Sequence, residues 1–199
     1  MEGRADRMQE ALARRLSSVT LVAEATYLRH NLNAMVRTAE AFGLCDVHFI
    51  SPLNAPGGVK RPKSSAARGA ERWVDLHEHH ITKHCLDKLK KQGFSIWVAD
   101  LHEGAVAPSA VPVDAPVALV MGTELAGVSP EARSMADGFV AVPMHGLTRS
   151  LNVSVATACI LQHLSERRRR LLGGGDLPLA RQEELLRHWL RREGSGGPE

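Results

Sequence analysis

Two periods of apolar residues run along this chain and divide it into alternating helices and strands. From Arg4 to Leu16, Met8, Leu12 and Leu16 recur every fourth position with Arg7, Arg14 and Arg15 between them, which predicts an amphipathic helix with a narrow apolar side. Ser18 to Glu24 reads as a buried strand. Asn31 is then expected to cap a helix whose apolar residues Leu32, Met35, Val36 and Ala39 keep helical spacing until Gly43 stops it. Val47 to Ile50 is the next strand, followed by a long loop from Pro52 to Arg72. A short strand near Trp73 to Leu76 leads into a helix from about His80 to Gln92, which Gly93 ends. Phe94 to Ala99 and Pro116 to Met121 are further strands. After the loop from Gly122 to Gly127 comes a short helix, with Ser129 suited to its cap and Pro130 to its first turn.

The most informative stretch runs from Phe139 to Leu164, FVAVPMHGLTRSLNVSVATACILQHL. Phe139 to Val142 is a short apolar run bounded by Gly138 and Pro143, as in a buried strand. His145 to Arg149 makes a loop, and Ser150 or Asn152 can cap the helix that follows by accepting its free amide protons. From Val153 to Leu161 that helix is apolar nearly all round, so it should be buried against a sheet or a second subunit. A polar loop between two buried elements is costly unless its groups are satisfied by a partner, which makes this the first place to look for a ligand. Beyond Leu172, three glycines form a break. Leu179 to Arg192 is a last helix with Leu185, Leu186, Trp189 and Leu190 on one side, and Gly194 to Glu199 is expected to lack fixed structure.

Strands alternating with helices predict the α/β class, with a mainly parallel sheet covered on both faces. At 199 residues the chain accommodates one domain with a sizeable core. It is assigned to residues 18–172, with helical extensions over 1–17 and 173–199. Twenty-five basic residues against 22 acidic ones leave a formal charge of +3, too small an excess to establish a polyanion partner, so its distribution matters more. The loop from Pro52 carries Lys60, Arg61, Lys63, Arg68 and Arg72 against Glu71 alone, and Arg167 to Arg170 form an unbroken run. The three cysteines lie far apart and give neither a disulfide framework nor a zinc spacing, and no apolar run approaches a membrane span or a signal peptide. A cytoplasmic protein with no membrane partner is expected. There is no Gly-x-Gly-x-x-Gly after the first strand, and Gly57 to Lys60 lacks Walker spacing, so two familiar nucleotide sites are disfavoured.

Three segments carry a resemblance. Ser150-Leu151-Asn152-Val153-Ser154-Val155-Ala156, preceded by Val142-Pro143-Met144-x-Gly146, is similar to the third signature of the SpoU/TrmH family of RNA ribose 2′-O-methyltransferases. Asn31-x-x-x-x-x-Arg37-Thr38-Ala39-x-x-Phe42-Gly43 and Gly122-x-Glu124-x-x-Gly127-Val128 resemble the other two. The resemblance covers roughly Thr20 to Leu172 and implies a trefoil knot in the carboxy-terminal part of the sheet, whose loops hold S-adenosylmethionine. Nothing in the spacing of the residues reveals a knot. Carried over by motif position, the cofactor contacts are Gly122, Val142, Met144, Leu151 and Asn152. Ala99 contributes its backbone alone, where family members often carry a hydroxyl.

The resemblance places Asn31 and Arg37 at the substrate ribose. A guanidinium titrates above about 12, which makes its neutral form an expensive general base. Arg37 is therefore read as gripping the adjacent phosphate and aligning the 2′-hydroxyl, whose proton leaves through phosphate or water. Glu124 either orients Asn31 or Arg37 from the facing loop or stabilises its own loop. Ser150 and Asn152 serve as helix caps that also shape the pocket. Arg7, Arg14, Arg15, Lys60, Arg61, Lys63, Arg68, Arg167 and Arg168 form a candidate phosphate footprint, and an aromatic content of 4% argues against a stacking platform for single strands. His77, His79, His80 and His84 read as surface residues; His80 and His84 have zinc-ligand spacing but no evident carboxylate or cysteine partner. The implied activity is methylation of a tRNA guanosine, with short terminal helices instead of a separate RNA-binding domain favouring position 18 in the D-loop. An rRNA ribose methyltransferase and a non-catalytic RNA-binding protein are the alternatives. A homodimer is expected, because the resemblance implies pairing through the knot region; Ser154, Ala156 and Ala158 permit close approach of another helix and equally suit packing on the chain's own sheet.

Overall fold

The computed structural model describes residues 3–25, 28–51, 69–124 and 126–194. Six parallel strands form one sheet: β1 (Val19–Glu24), β2 (Asp46–Ile50), β3 (Asp75–His79), β4 (Ser95–Ala99), β5 (Val117–Met121) and β6 (Gly138–Val140). Their order is β3-β2-β1-β5-β4-β6. The helices are α1 (Arg4–Ala13), α2 (Arg29–Ala41), α3 (Thr82–Lys91), α4 (Pro130–Met135), α5 (Val153–Leu172) and α6 (Leu179–Gly194). The α/β class and the parallel sheet agree with the expectation. β1 and β5 lie at the centre and are buried along their whole length, because both faces of the sheet are covered. Leu21, Ala23, Phe49 and Leu119 face α2 and α5, while Val22, Ile50, Ala118 and Val120 face α3 and α4.

The two terminal helices pack together as a third layer. Met8 and Leu12 of α1 meet Leu185 and Trp189 of α6 over Cys45 and Leu177, with Trp73 edge-on to Trp189 at 5.0 Å. Asp176, in the link between α5 and α6, accepts the Ser17 amide at 2.6 Å and the Ser17 hydroxyl at 3.1 Å, which ties the last segment to the entry of β1.

Several expectations are corrected. α1 ends at Ala13, and Leu16 instead pairs with Leu44. Arg15, expected at a phosphate, is 3% exposed: it donates to Leu44 O at 2.6 Å and to Glu40 at 3.1 Å, and its guanidinium carbon lies 5.1 Å from the centre of the Trp189 ring. The arginine run is likewise turned inward, since successive helical residues rotate by about 100° and only some reach water. Arg168 donates to Ser18 Oγ and to the carbonyls of Val113 and Asp114, and Arg167 donates to Val111 O at 2.6 Å. Arg169 donates to Arg14 O and Phe42 O, which leaves Arg170 as the exposed member, paired with Glu166. β3 lies two residues later than the strand expected at Trp73 to Leu76. Leu190 is 42% exposed rather than packed, and α5 continues to Leu172 with Val155 at 48% exposure, so this helix is not buried all round. Lys60, Arg61, Lys63 and Arg68 lie outside the described residues, as does most of the expected tail.

The histidines are also more embedded than expected. Strand alternation puts His48, His77 and His79 on the α3 face at the sheet edge. His48 Nδ1 lies 2.9 Å from His79 Nε2, His77 stacks on His48 at 4.7 Å, and His77 Nε2 is 2.6 Å from Asp46. Burial, with His77 and His79 alongside, pushes the His48 pKa down to about 3, so the strip is built on a neutral imidazole. His80 and His84 are exposed as anticipated.

The terminal layer has a measurable stake in stability. Trp189→Ala should cost about 3 to 5 kcal/mol, the usual range for emptying a buried tryptophan site, in denaturant unfolding. Arg15→Ala should cost about 1 to 3 kcal/mol by leaving buried carbonyl and carboxylate acceptors unpaired. An Arg15→Ala variant with unchanged stability would return Arg15 to the surface role that its burial denies it.

Candidate active site

The loops that leave β4, β5 and β6 all emerge at the carboxyl edge of the sheet, where open parallel sheets bind ligands. They enclose a cavity lined by Ala99, Gly122, Val142, Met144 and Leu151, five of the six residues anticipated as cofactor contacts, together with Glu124 and Ser150. β6 stops at Val140, two residues earlier than its apolar run predicts, and this releases Val142 to the cavity wall. The loop after β5 closes on itself through paired backbone bonds between Thr123 and Gly127, at 2.9 and 3.0 Å. Gly122 is confined by that closure: a β-carbon there would lie 2.2 Å from the Gly127 carbonyl, so only glycine fits. A second cavity lies across the same loop, lined by Leu28, Asn31, Thr123, Glu124, Val128 and Val153 among others.

Asn152, the sixth anticipated contact, lines neither cavity and instead joins the segments that do. It is the N-cap of α5, its Oδ1 accepting the Ser154 amide at 2.9 Å and the Ser154 hydroxyl at 2.6 Å. Its Nδ2 donates to Asn31 Oδ1 at 3.2 Å and to Glu124 Oε1. Of the two residues able to cap this helix, Asn152 does so, and Ser150 is left at the cavity. Of the roles open to Glu124, it holds Asn152 rather than Asn31 or Arg37. Asn31 is not a cap: α2 starts at Arg29 after Leu28, and Asn31 sits in its first turn, 3% exposed.

Arg37 is exposed, lines neither cavity and has no hydrogen-bond or ion-pair partner among the described residues. Six residues at about 100° each place it roughly 120° round the helix from Asn31. The two residues that the motif pairs in sequence therefore face different surroundings. Glu24, which sequence reasoning did not single out, is 4% exposed at the end of β1; it accepts from Thr82 Oγ1 at 2.5 Å and from the Ser129 amide and hydroxyl at 2.8 and 2.7 Å. The available signal was a carboxylate ending an apolar strand. Ser129 caps α4 as expected, accepting from Ala132 N at 3.0 Å.

The cavity suits an adenosyl donor. Its walls are largely apolar, from Val140, Val142, Met144, Leu151 and Ile160, and the last residues of β4, β5 and β6 border it. A sulfonium methyl donor held there would supply an electrophilic carbon, and these residues would surround it.

Residues 18–162 match the model of the SpoU rRNA Methylase family. The chain is 36% identical over 194 residues to a tRNA (guanosine(18)-2′-O)-methyltransferase of Thermus thermophilus, covering 96% of this chain and 97% of the relative. It is 36% identical to the Escherichia coli enzyme of the same name over 184 residues, 90% of this chain and 79% of the relative. The crystal structure of the Aquifex aeolicus TrmH/SpoU tRNA modifying enzyme superposes with a TM-score of 0.84 at 30% identity, over 96% of each chain.

The linkage through Asn152 is testable by substitution. Asn152→Ala removes the cap and both side-chain links, and the cap alone is worth about 1 kcal/mol. Asn152→Ser should recover the cap and leave a deficit of about 0.5 to 1.5 kcal/mol per lost link, read by denaturant unfolding. Full recovery in the serine variant would mean that the links to Asn31 and Glu124 contribute nothing.

Proposed function

This chain belongs to the SpoU methylase family, and from that premise we propose that it methylates the 2′-hydroxyl of the guanosine at position 18 in the D-loop of tRNA, using S-adenosylmethionine. The observation that carries the reading is the Asn152 carboxamide, which joins the three signature segments beside a cavity fit for the donor. Similarity to position-18 methyltransferases over 96% of the chain favours tRNA over ribosomal RNA. The trefoil knot of the family is carried over as part of the same reading.

In the reaction the ribose oxygen attacks the methyl carbon, the carbon–sulfur bond breaks, and the hydroxyl proton leaves to phosphate or water. The residues divide this work. Ala99, Gly122, Val142, Met144 and Leu151 hold the donor, mainly by shape and backbone groups. Asn152, Asn31 and Glu124 fix the angle between α5, α2 and the loop after β5, and Ser150, at the donor cavity, is assigned to the acceptor side. Arg37, exposed and outside both cavities, meets RNA phosphate and aligns the hydroxyl while keeping its charge. Of the basic residues expected in the footprint, Arg7 on α1 and Arg14, which follows α1 and pairs with Glu10, remain exposed and are assigned to phosphate, together with Lys60, Arg61, Lys63 and Arg68. Arg15, Arg167 and Arg168 are not part of it, because their guanidinium groups bond acceptors inside the fold.

The test is transfer of a labelled methyl group to a tRNA transcript and mapping of the product. Label at the guanosine-18 ribose is expected; transfer confined to ribosomal RNA would overturn the assignment, and no transfer to any RNA would leave only a binding protein. Arg37→Ala should abolish transfer with donor affinity nearly unchanged. Arg37→Lys should lose at least about 100-fold in turnover, the low end for a positioned catalytic group, because lysine keeps the charge but not the planar fork. Near-full activity of the lysine variant would remove the alignment role.

A homodimer belongs to the same reading. Leu28 and Val155, exposed by 49% and 48% beside the second cavity and on α5, are apolar surface for a second copy to cover. Sedimentation at micromolar concentration should give a species of twice 21.6 kDa, and a single 21.6 kDa species would exclude the dimer.

A further inference from the structure

Asp100 follows the last residue of β4 and lines the donor cavity. Its amide donates to Val140 O at 3.2 Å, which fixes its backbone against β6. Its carboxylate is 18% exposed and accepts from Arg133 Nε through Oδ2 at 2.7 Å. Oδ1 has no hydrogen-bond partner among the described residues. Arg133 belongs to α4, and its other end approaches the opposite wall: a β-carbon on Gly127 would lie 3.6 Å from Arg133 Nη2. One guanidinium thus spans from the strand end of β4 to the loop after β5, two walls of the same cavity. Neither residue belongs to the three signature segments.

A carboxylate at the edge of a mostly apolar cavity is costly to desolvate unless its charge is offset and its lone pairs find donors. Arg133 supplies the offset and engages one oxygen. The other oxygen can only accept, so it selects a ligand group that donates. The donor molecule assigned to this cavity carries a vicinal pair of ribose hydroxyls, and a carboxylate partners such hydroxyls in dinucleotide-binding α/β sheets, an analogous chemistry on a different site. We propose that Asp100 accepts a hydrogen bond from the cofactor ribose, and that Arg133 is the positioning residue that holds Asp100 in place. This inference rests on the methyl-donor reading of the cavity. It adds a charged side-chain contact to a pocket whose walls are largely apolar.

Calorimetry with S-adenosylhomocysteine and its 2′,3′-dideoxy analogue tests it without turnover. Asp100→Ala should weaken S-adenosylhomocysteine at least about 10-fold, the scale of a hydrogen bond to a charged group, and leave the affinity of the dideoxy analogue unchanged. Arg133→Gln should weaken S-adenosylhomocysteine several-fold through the same hydroxyls, and Arg133→Lys should restore part of the loss. Equal weakening of both ligands by Asp100→Ala would overturn the proposal, since Asp100 would then shape the pocket or meet the ligand's ammonium group. Unchanged affinity in Asp100→Ala would also overturn it while the methyl-donor reading stood. Failure of the unaltered chain to bind S-adenosylhomocysteine would overturn both.

Discussion

The Asn152 carboxamide has two ends, and both are engaged. Its oxygen closes the amino terminus of α5, and its nitrogen reaches Asn31 on α2 and Glu124 in the loop after β5. A planar group with one acceptor end and one donor end fixes the relative angles of everything bonded to it, which a hydroxyl or a carboxylate in that place would not do. Residues 121 and 28 positions away in sequence are brought together at one side chain. Both cavities lie against these same segments, so their shapes depend on this junction.

The remainder of the fold keeps the junction rigid. Glu24, buried where β1 ends, holds the starts of α3 and α4 through Thr82 and Ser129, and so fixes the second cavity from behind. The loop after β5 is locked by its own backbone bonds and by the close approach at Gly122. On the far side, arginines stand in for apolar packing. Arg15, Arg167, Arg168 and Arg169 bind backbone carbonyls and join α5, α1 and the link before β5, so positive charge that looks available in sequence is consumed inside the molecule. A guanidinium with five donors can satisfy several acceptors at once, as Arg168 does for Ser18, Val113 and Asp114, and its flat face can lie over an aromatic ring, as that of Arg15 does over Trp189.

The site separates its tasks in space. The cavity is apolar and shaped, which suits a donor whose reactive charge is best kept from water. The exposed arginine of the first signature stands outside it, facing solvent from which a polyanion arrives. That arrangement is the basis for the proposed alignment by phosphate contact, because Arg37 lines neither cavity and is open to an arriving polyanion.

The α/β class, the parallel sheet and most element positions were legible from local patterning, since strand and helix periods and the Ser129 cap depend on neighbours within a few residues. That Ala99, Gly122, Val142, Met144 and Leu151 gather at one cavity was legible because strand ends and the signatures fix their positions. The role of Asn31 was not: its residue type suits a cap, but packing against Asn152 decided its use. Nor was the fate of the arginines, because adjacent residues on a helix point in different directions and only tertiary contacts reveal which meet carbonyls. The histidine strip arose from strand register, a long-range pairing that no local pattern encodes. Sequence determined which residues could do chemistry; the fold decided which of them have neighbours that leave them free to do it.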